Sequence, residues 1–295
     1  GVQTCALPIF IPYHRYLPFL KWLTLSLFAY VGTVFASHVD WSHVLSETLL
    51  PHISFDASYV LLVVGVFGTT ISPYLFFWQA AEEVEDIADI SSRHALIMHP
   101  EQAPKQLKRI NLDTIFGMGF SNIISFFIIL TTAATLFPAG IHNIQTSAEA
   151  AAALRPIAGD FAFMLFALGI IGTGLLAIPV LAGSAAYAVS ELMHKRASLR
   201  LKAKSAKHFY GVIVIATLIG VGLDFSGIDP IKALIWSAVI NGVVAVPMMI
   251  TLMHMASKTS IMGTFVVGRK TKVLGWMATI MMAVAATVLI WVYMR

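Results

Sequence analysis

Residues 59–81 read YVLLVVGVFGTTISPYLFFWQAA, and this stretch decides how the chain folds. It contains no charged side chain, and about 20 apolar residues are enough to cross the hydrocarbon of a bilayer as a helix. Near its middle, Gly68, Thr69, Thr70, Ser72 and Pro73 interrupt the apolar run. Proline removes a backbone donor and clashes with the preceding helical turn, and glycine adds backbone freedom. The stretch therefore predicts a membrane helix that is broken near mid-membrane.

The composition of the whole chain supports a lipid environment. Of its 295 residues, 58% are hydrophobic and only 12% are charged, whereas soluble domains carry about a quarter of charged residues. That leaves too little polar surface for a soluble body of this size. The formal charge of +4 is not gathered into a basic stripe with aromatics, so nucleic acid is not a predicted partner. The single cysteine, Cys5, excludes internal disulfides and multi-cysteine metal sites.

Apolar runs divide the chain into spans separated by short polar loops. The predicted fold class is an all-α membrane protein of about seven transmembrane helices, with the bilayer as its solvent. The fifth run is the shortest and weakest, and every loop is too short for a second domain. The predicted spans are Phe19–Ser37, Tyr59–Ala81, Thr114–Phe137, Phe161–Ser190, Phe209–Leu223, Ile231–Met255 and Val273–Tyr293.

Lysine and arginine predict the orientation of these spans. Of the 19 Lys and Arg residues, all except Arg155, Lys232 and Arg295 lie in alternate loops. Basic loops remain on the cytoplasmic side of a membrane. We therefore expect a multi-pass protein of the cytoplasmic membrane whose C-terminus lies on the outer side.

The first nine residues have a different expected origin. Gly1–Ile9 reads GVQTCALPI, which matches the translation of a common sequencing-library adapter, although an ordinary loop could also spell it. We expect this segment to be non-native, and Cys5 with it. The transmembrane domain would then occupy residues 10–295 and be the C-terminal portion of a longer protein.

The interrupted second span is the candidate functional site. Breaks at membrane depth survive inside protein or against an ion-holding cavity, and transporters direct freed carbonyls at cations. The alternative is a proline kink whose hydroxyl groups bond back to the previous turn. Asn241, deep in the sixth span, belongs either to an interhelical hydrogen bond or to a permeation path.

Charged side chains are absent from the centre of every predicted span, although intramembrane charges usually mark ion paths. An acidic cluster just past the second span is either a solvated helix end or an ion exit vestibule. No nucleophile or acid–base set converges at membrane depth, and no HExxH motif is present. The sequence therefore predicts no enzyme. The acidic cluster comprises Glu82, Glu83, Glu85, Asp86 and Asp89.

Three segments resemble the natural resistance-associated macrophage protein (Nramp) family of divalent metal transporters. They are LKWLTLSLFAYV at residues 20–31, GTTISPYLFFWQAAEEVED at residues 68–86 and MGTFVVGRKTKVLGW at residues 262–276. The resemblance implies a LeuT-like fold of about eleven helices arranged as inverted repeats. The seven spans would be helices five to eleven, and the Asp-Pro-Gly-Asn metal motif of helix one would lie upstream.

The resemblance also implies a secondary transporter that acts as a monomer, with a divalent metal ion as its substrate and no cofactor. The Thr69 carbonyl, a Ser72 carbonyl or hydroxyl, Thr70 and Asn241 would belong to the ion pathway. Pro73 would keep the break open, with Gly68 beside it, and Tyr74 would line the cytoplasmic half.

One departure from the family pattern affects the substrate. The family has Ala and Met-Pro-His where this chain has Thr69 and Ser72-Pro73-Tyr74. Loss of the soft thioether leaves Mn²⁺, Fe²⁺ and Mg²⁺ as alternatives, and loss of the histidine leaves proton coupling open. The remaining hypotheses are a LeuT-like transporter of another solute, such as an amino acid with Na⁺, and a non-transporting membrane scaffold.

Overall fold

The computed structural model describes residues 24–37, 39–50, 52–89, 93–141, 144, 146–199, 201 and 203–294. Within these ranges the regular structure is helical and no β-strand occurs. The segment Gly1–Ile9 and the first five residues of the first predicted span lie outside the described residues. The α-helices in the described ranges are α1 (Phe28–Ala36), α2 (Trp41–Leu49), α3 (Ala57–Thr70), α4 (Pro73–Asp89), α5 (Ala103–Thr135), α6 (Ser147–Leu192), α7 (Lys207–Asp224), α8 (Pro230–Ala256), α9 (Thr259–Met262) and α10 (Arg269–Met294).

Within the residues that the structure describes, five helical stretches are long and apolar enough to cross a membrane. The shorter apolar helix Lys207–Leu223 coincides with the run that the sequence predicted to be the weakest. A 3-10 turn, Thr24–Leu27, and α1 occupy the described part of the first predicted span. The prediction of an all-α membrane protein is confirmed. The five long spans are Ala57–Ala88, Pro100–Thr135, Gly159–Leu192, Pro230–Ala256 and Arg269–Met294.

Several helices extend beyond the apolar runs that predicted them. α5 begins at Ala103 instead of Thr114, because the polar stretch before the apolar run consists largely of helix-forming residues. α6 begins at Ser147, where the Thr146 side chain accepts a hydrogen bond from the Glu149 amide at 3.1 Å. At Gly159 the backbone turns to φ 85° and interrupts α6, close to the predicted start of the apolar span.

The chain divides into two compact units. Of the described residues, the first unit comprises those within 1–51, 77–81 and 111–231, and the second comprises those within 52–76, 82–110 and 232–295. In the first unit, Tyr30 of α1 packs edge-on against Phe166 of α6 with ring centroids 5.5 Å apart. A separate cluster between α6 and α7 buries Tyr187, Phe209 and Ile213.

The second unit is built around α3, α8 and α10. Val60 and Val64 of α3, Val239 of α8 and Leu289 of α10 form its buried apolar cluster. Burying side chains of this size stabilises the packing by about 1.5–3 kcal/mol each relative to exposure in water, although lipid as the alternative solvent reduces that gain. The cluster fixes α3, and therefore the residues that lead into the break.

Candidate functional site

The break in the second span falls at two residues, Ile71 and Ser72. α3 ends at Thr70, and Ile71 adopts non-helical dihedral angles, φ −104° and ψ 75°. α4 then begins at Pro73, a residue that suits the first position of a helix because it has no N–H to leave unpaired. The break lies inside the apolar stretch Ala57–Ala88. The predicted interruption of this membrane helix is therefore present in the structure.

Ser72 takes over the hydrogen bond that Pro73 cannot make. In an uninterrupted helix the amide of residue 73 would donate to the Thr69 carbonyl, but proline has no amide hydrogen. The Ser72 hydroxyl lies 2.7 Å from the Thr69 carbonyl oxygen and 3.4 Å from that of Gly68. Ser72 is 2% exposed, and Pro73 is also buried. The Thr69 carbonyl, which the family resemblance placed in the ion pathway, therefore has a donor.

Two other carbonyls are left without donors at the break. The Ile71 amide donates to Phe67 at 2.8 Å, and the next amide that bonds within the break is that of Leu75, which donates to Ser72 at 3.0 Å. In the described part of the chain, no donor reaches the carbonyl oxygens of Thr70 and Ile71. Such oxygens are suitable ligands for a cation. Sequence reasoning missed Ile71, since an apolar side chain gives no signal for a backbone ligand.

The two threonines satisfy their hydroxyl hydrogens locally. Thr69 Oγ1 and Thr70 Oγ1 donate to the same Val66 carbonyl oxygen, at 2.8 and 2.9 Å. Both residues are exposed on the chain's surface, and each hydroxyl oxygen keeps lone pairs that can accept or coordinate. Tyr74 is half-buried in the first turn of α4. The local bonds thus match the back-bonded kink, and the break nevertheless frees two carbonyls.

Gly68 lies inside α3, one turn before the break, where it permits close contact with α8. A Cβ at Gly68 would overlap the Ala238 carbonyl oxygen and come within 2.6 Å of the Gly242 amide nitrogen. A Cβ at Gly242 would lie 2.9 Å from the Val64 carbonyl oxygen and from Met282 Cε. Neither position has room for a side chain, so the two backbones pack directly against each other. This contact fixes the position of α3 along α8.

Asn241 precedes Gly242, on the stretch of α8 that approaches Gly68. It is half-buried, and its side chain makes no hydrogen bond to any residue that the structure describes. An amide side chain without such a bond has donors and an acceptor available for other partners. Asn241 and the break therefore lie in the same compact unit, with Asn241 next to the contact between α8 and α3.

Two members of the acidic cluster at the end of α4 form ion pairs with arginines. Glu83 bonds to Arg109 of α5 at 2.5 Å, and Asp86 bonds to Arg93 at 2.6 Å. The side chains of these four residues are 20–30% exposed, so they do not form a fully solvated face. Among the described residues, no group of three or more His, Cys, Asp or Glu side chains could hold a metal ion.

Comparison with known proteins assigns the fold to one family. The family model described as "Natural resistance-associated macrophage protein-like" matches residues 1–292. The "Divalent metal cation transporter MntH" of Clostridium acetobutylicum is 23% identical over 265 residues, which cover 89% of this chain and 56% of that protein. The proteins of the same name from Caldanaerobacter subterraneus and Granulibacter bethesdensis are 26% and 24% identical, over 72% and 88% of this chain and 46% and 53% of their own lengths. The chain spans about half the length of the curated relatives it matches.

Proposed function

The chain belongs to the natural resistance-associated macrophage protein family, and from this membership we propose that the protein transports a divalent metal cation across a membrane. The ion would bind at the break between α3 and α4. The relatives that match the chain bear the name of divalent metal cation transporters. The observation that carries the proposal is the pair of carbonyls, of Thr70 and Ile71 in an apolar span, that receive no hydrogen bond from any residue the structure describes.

The oxygen atoms at the break indicate which cations would bind. Ser72 gives its only hydrogen to Thr69, so the lone pairs of its hydroxyl oxygen remain available. Carbonyl and hydroxyl oxygens are hard ligands that suit Mg²⁺ and Mn²⁺, whereas a thioether would favour softer transition metals. We therefore propose a Mn²⁺/Fe²⁺-type transporter that also admits Mg²⁺. Asn241 and Tyr74 would line the path on either side of these ligands.

The proposed setting is the cytoplasmic membrane, with the protein acting as a monomer. The arginines and lysines of alternate loops support a cytoplasmic position for the end of α4 and for the loop between α6 and α7. The C-terminus would then lie outside. Movement of protons with the metal is a further proposal; Tyr74 stands where the family has a histidine.

The test is uptake by the natural full-length protein in proteoliposomes that contain a metal-sensitive dye. Saturable uptake of Mn²⁺ is expected, with competition by Mg²⁺. Ser72→Ala should change the uptake kinetics, because it removes a ligand and a donor at the break. Thr217→Ala is the matched control, since Thr217 donates to Ile213 at 2.7 Å within α7 and should leave uptake unchanged. Absence of Mn²⁺, Fe²⁺ and Mg²⁺ uptake, together with Na⁺-dependent amino-acid uptake, would favour the alternative solute.

A further inference from the structure

The loop between α6 and α7 folds back against the ends of these helices. The Leu199 amide donates to the Tyr187 hydroxyl of α6 at 3.1 Å. The Tyr210 hydroxyl of α7 lies 3.2 Å from the Leu199 carbonyl oxygen and 2.9 Å from that of Leu201. Leu199 is 3% exposed and packs in the same apolar cluster as Ala186 and Phe209. Two tyrosines and one buried leucine therefore hold the middle of the loop in a defined position.

The outer surface of this loop is strongly basic. Lys195, Arg196, Lys204 and Lys207 are all exposed. Residues 193–208 contain no Asp or Glu, and the nearest acidic residue in the sequence is Glu191 in the last turn of α6. None of the four cations pairs with a carboxylate belonging to the described residues. The folded loop thus presents four cations that are not neutralised within that part of the molecule.

We propose that this folded-back loop binds the anionic headgroups of phospholipids. It connects two apolar helices, Gly159–Leu192 and Lys207–Leu223, so its buried middle keeps the basic residues close to the membrane surface. Lysine and arginine next to a membrane helix attract anionic lipids, and the attraction decays within a Debye length. Because the tyrosines already order the loop, binding requires little further loss of conformational entropy. An acidic soluble protein is the less favoured partner, because lipid headgroups are already close to these basic residues whereas a soluble protein must first approach the bilayer.

Native mass spectrometry of the purified chain in detergent tests this proposal, with phosphatidylglycerol and phosphatidylcholine as the probes. The wild type is expected to retain phosphatidylglycerol preferentially. Changing Lys195, Arg196, Lys204 and Lys207 together to glutamine should reduce that retention by about tenfold or more. These side chains are exposed, so the variant should fold. The double variant Tyr187→Phe and Tyr210→Phe keeps every charge but removes the hydroxyl groups that hold the loop in position. It should therefore cause a smaller loss of phosphatidylglycerol retention.

The matched control removes four exposed charges from the segment between α8 and the first turn of α10, by changing Lys258, Arg269, Lys270 and Lys272 to glutamine. It should retain most of the phosphatidylglycerol. Equal retention of both lipids by the wild type, or an equal loss in the control, would overturn the proposal. So would a result in which the loop variant keeps its lipids but loses binding to a polyglutamate peptide, since the surface would then serve an acidic protein. The measurement requires no transport, so its failure would leave the proposed metal transport untouched.

Discussion

The Ser72 hydroxyl donates a hydrogen bond to the Thr69 carbonyl at a distance of 2.7 Å, where Pro73 has no amide hydrogen to offer. This hydrogen bond affects the break in two ways. It satisfies a carbonyl that the proline would otherwise leave unpaired in an apolar setting, where an unpaired polar group costs about 1–3 kcal/mol. It also gives a partner to the hydroxyl of a buried side chain that follows, in the sequence, the two carbonyls of Thr70 and Ile71, to which no described residue donates.

Replacement of Ser72 by methionine should change the metal preference. Ser72→Met introduces a thioether and removes the donor to Thr69, so the site should favour Mn²⁺ and Cd²⁺ over Mg²⁺ by about tenfold, which corresponds to about 1.4 kcal/mol in binding. Competition of Mg²⁺ and Ca²⁺ against Mn²⁺ uptake measures the shift, with Ser72→Ala separating the loss of the donor from the gain of sulfur. If excess Mg²⁺ leaves wild-type Mn²⁺ uptake unaffected, the hard-ligand argument is wrong for this protein.

Replacement of Pro73 by alanine should partly close the break. The new amide can donate to the Thr69 carbonyl, and continued helix would bring the amides of Tyr74 and Leu75 to the carbonyls of Thr70 and Ile71. In a continuous helix residue 73 would be an interior position, where proline costs about 3 kcal/mol, so alanine removes that obstacle to closing the break. We expect the apparent KM for the ion to rise by about tenfold, as determined by uptake normalised to surface protein. A KM equal to that of the wild type would indicate a simple kink and remove the segment from the site.

The contact between α3 and α8 should be sensitive to a single methyl group. Gly68→Ala and Gly242→Ala place a Cβ against backbone atoms, and overpacking of this kind costs about 1–3 kcal/mol. Thermal unfolding in detergent should show a lower Tm for both variants. Gly117→Ala in α5 is the control, because nothing lies within 4 Å of its added Cβ and alanine favours a helix by about 1 kcal/mol. Equal Tm values for Gly68→Ala and Gly117→Ala would refute the close approach.

The ion pair between Glu83 and Arg109 should contribute measurably to the attachment of α4 to α5. Glu83→Arg or Arg109→Glu alone should destabilise the protein by about 1–2 kcal/mol, because each leaves two like charges together in a half-buried position. The double reversal should recover most of the loss. Arg155 and Asp160 form a pair whose side chains are 61% and 72% exposed, and the same exchange there should cost under about 0.5 kcal/mol. Absence of recovery in the first pair would show that the two charges act independently.

The start of α2 should respond to pH. Hydrogen bonds from the Ser42 hydroxyl and from the amides of His43 and Ser42 hold the pKa of Asp40 below its usual value. A lowered pKa in the folded state stabilises the helix above the unfolded value, about 3.9, and the effect is lost as the pH falls through the lower folded value. Amide exchange at Val44 should therefore accelerate in acid. Asp40→Asn keeps a capping acceptor and should remove the pH dependence; a pH dependence that persists in this variant would exclude Asp40 as its source.

The sequence was sufficient for the parts of the fold that hydrophobicity and proline determine. The apolar runs predicted the long helices, and Ser72-Pro73 predicted the interruption between α3 and α4. The role of Gly68 could not be predicted, because the atoms that exclude a side chain there belong to α8, more than 160 residues away in the sequence. That no described residue donates to the Ile71 carbonyl could not be predicted either, since this depends on the backbone angles of Ile71 and not on its side chain. α2 was missed because nine residues are too few for a membrane span, although Asp40 followed by Ser42 could have suggested a helix start.

The direct backbone contact at Gly68 and Gly242 has a consequence for how the break can move. α3 cannot slide along α8 by one turn, because the side chain of Val64 would then take the place of Gly68, where even a Cβ has no room. A reorientation of α4 relative to α3 must therefore be taken up by rotation about the backbone bonds of Ile71 and Ser72. Ile71 and Ser72 would then act as the hinge, and rotation there would leave the Thr70 carbonyl fixed to α3 while it reorients the Ile71 carbonyl.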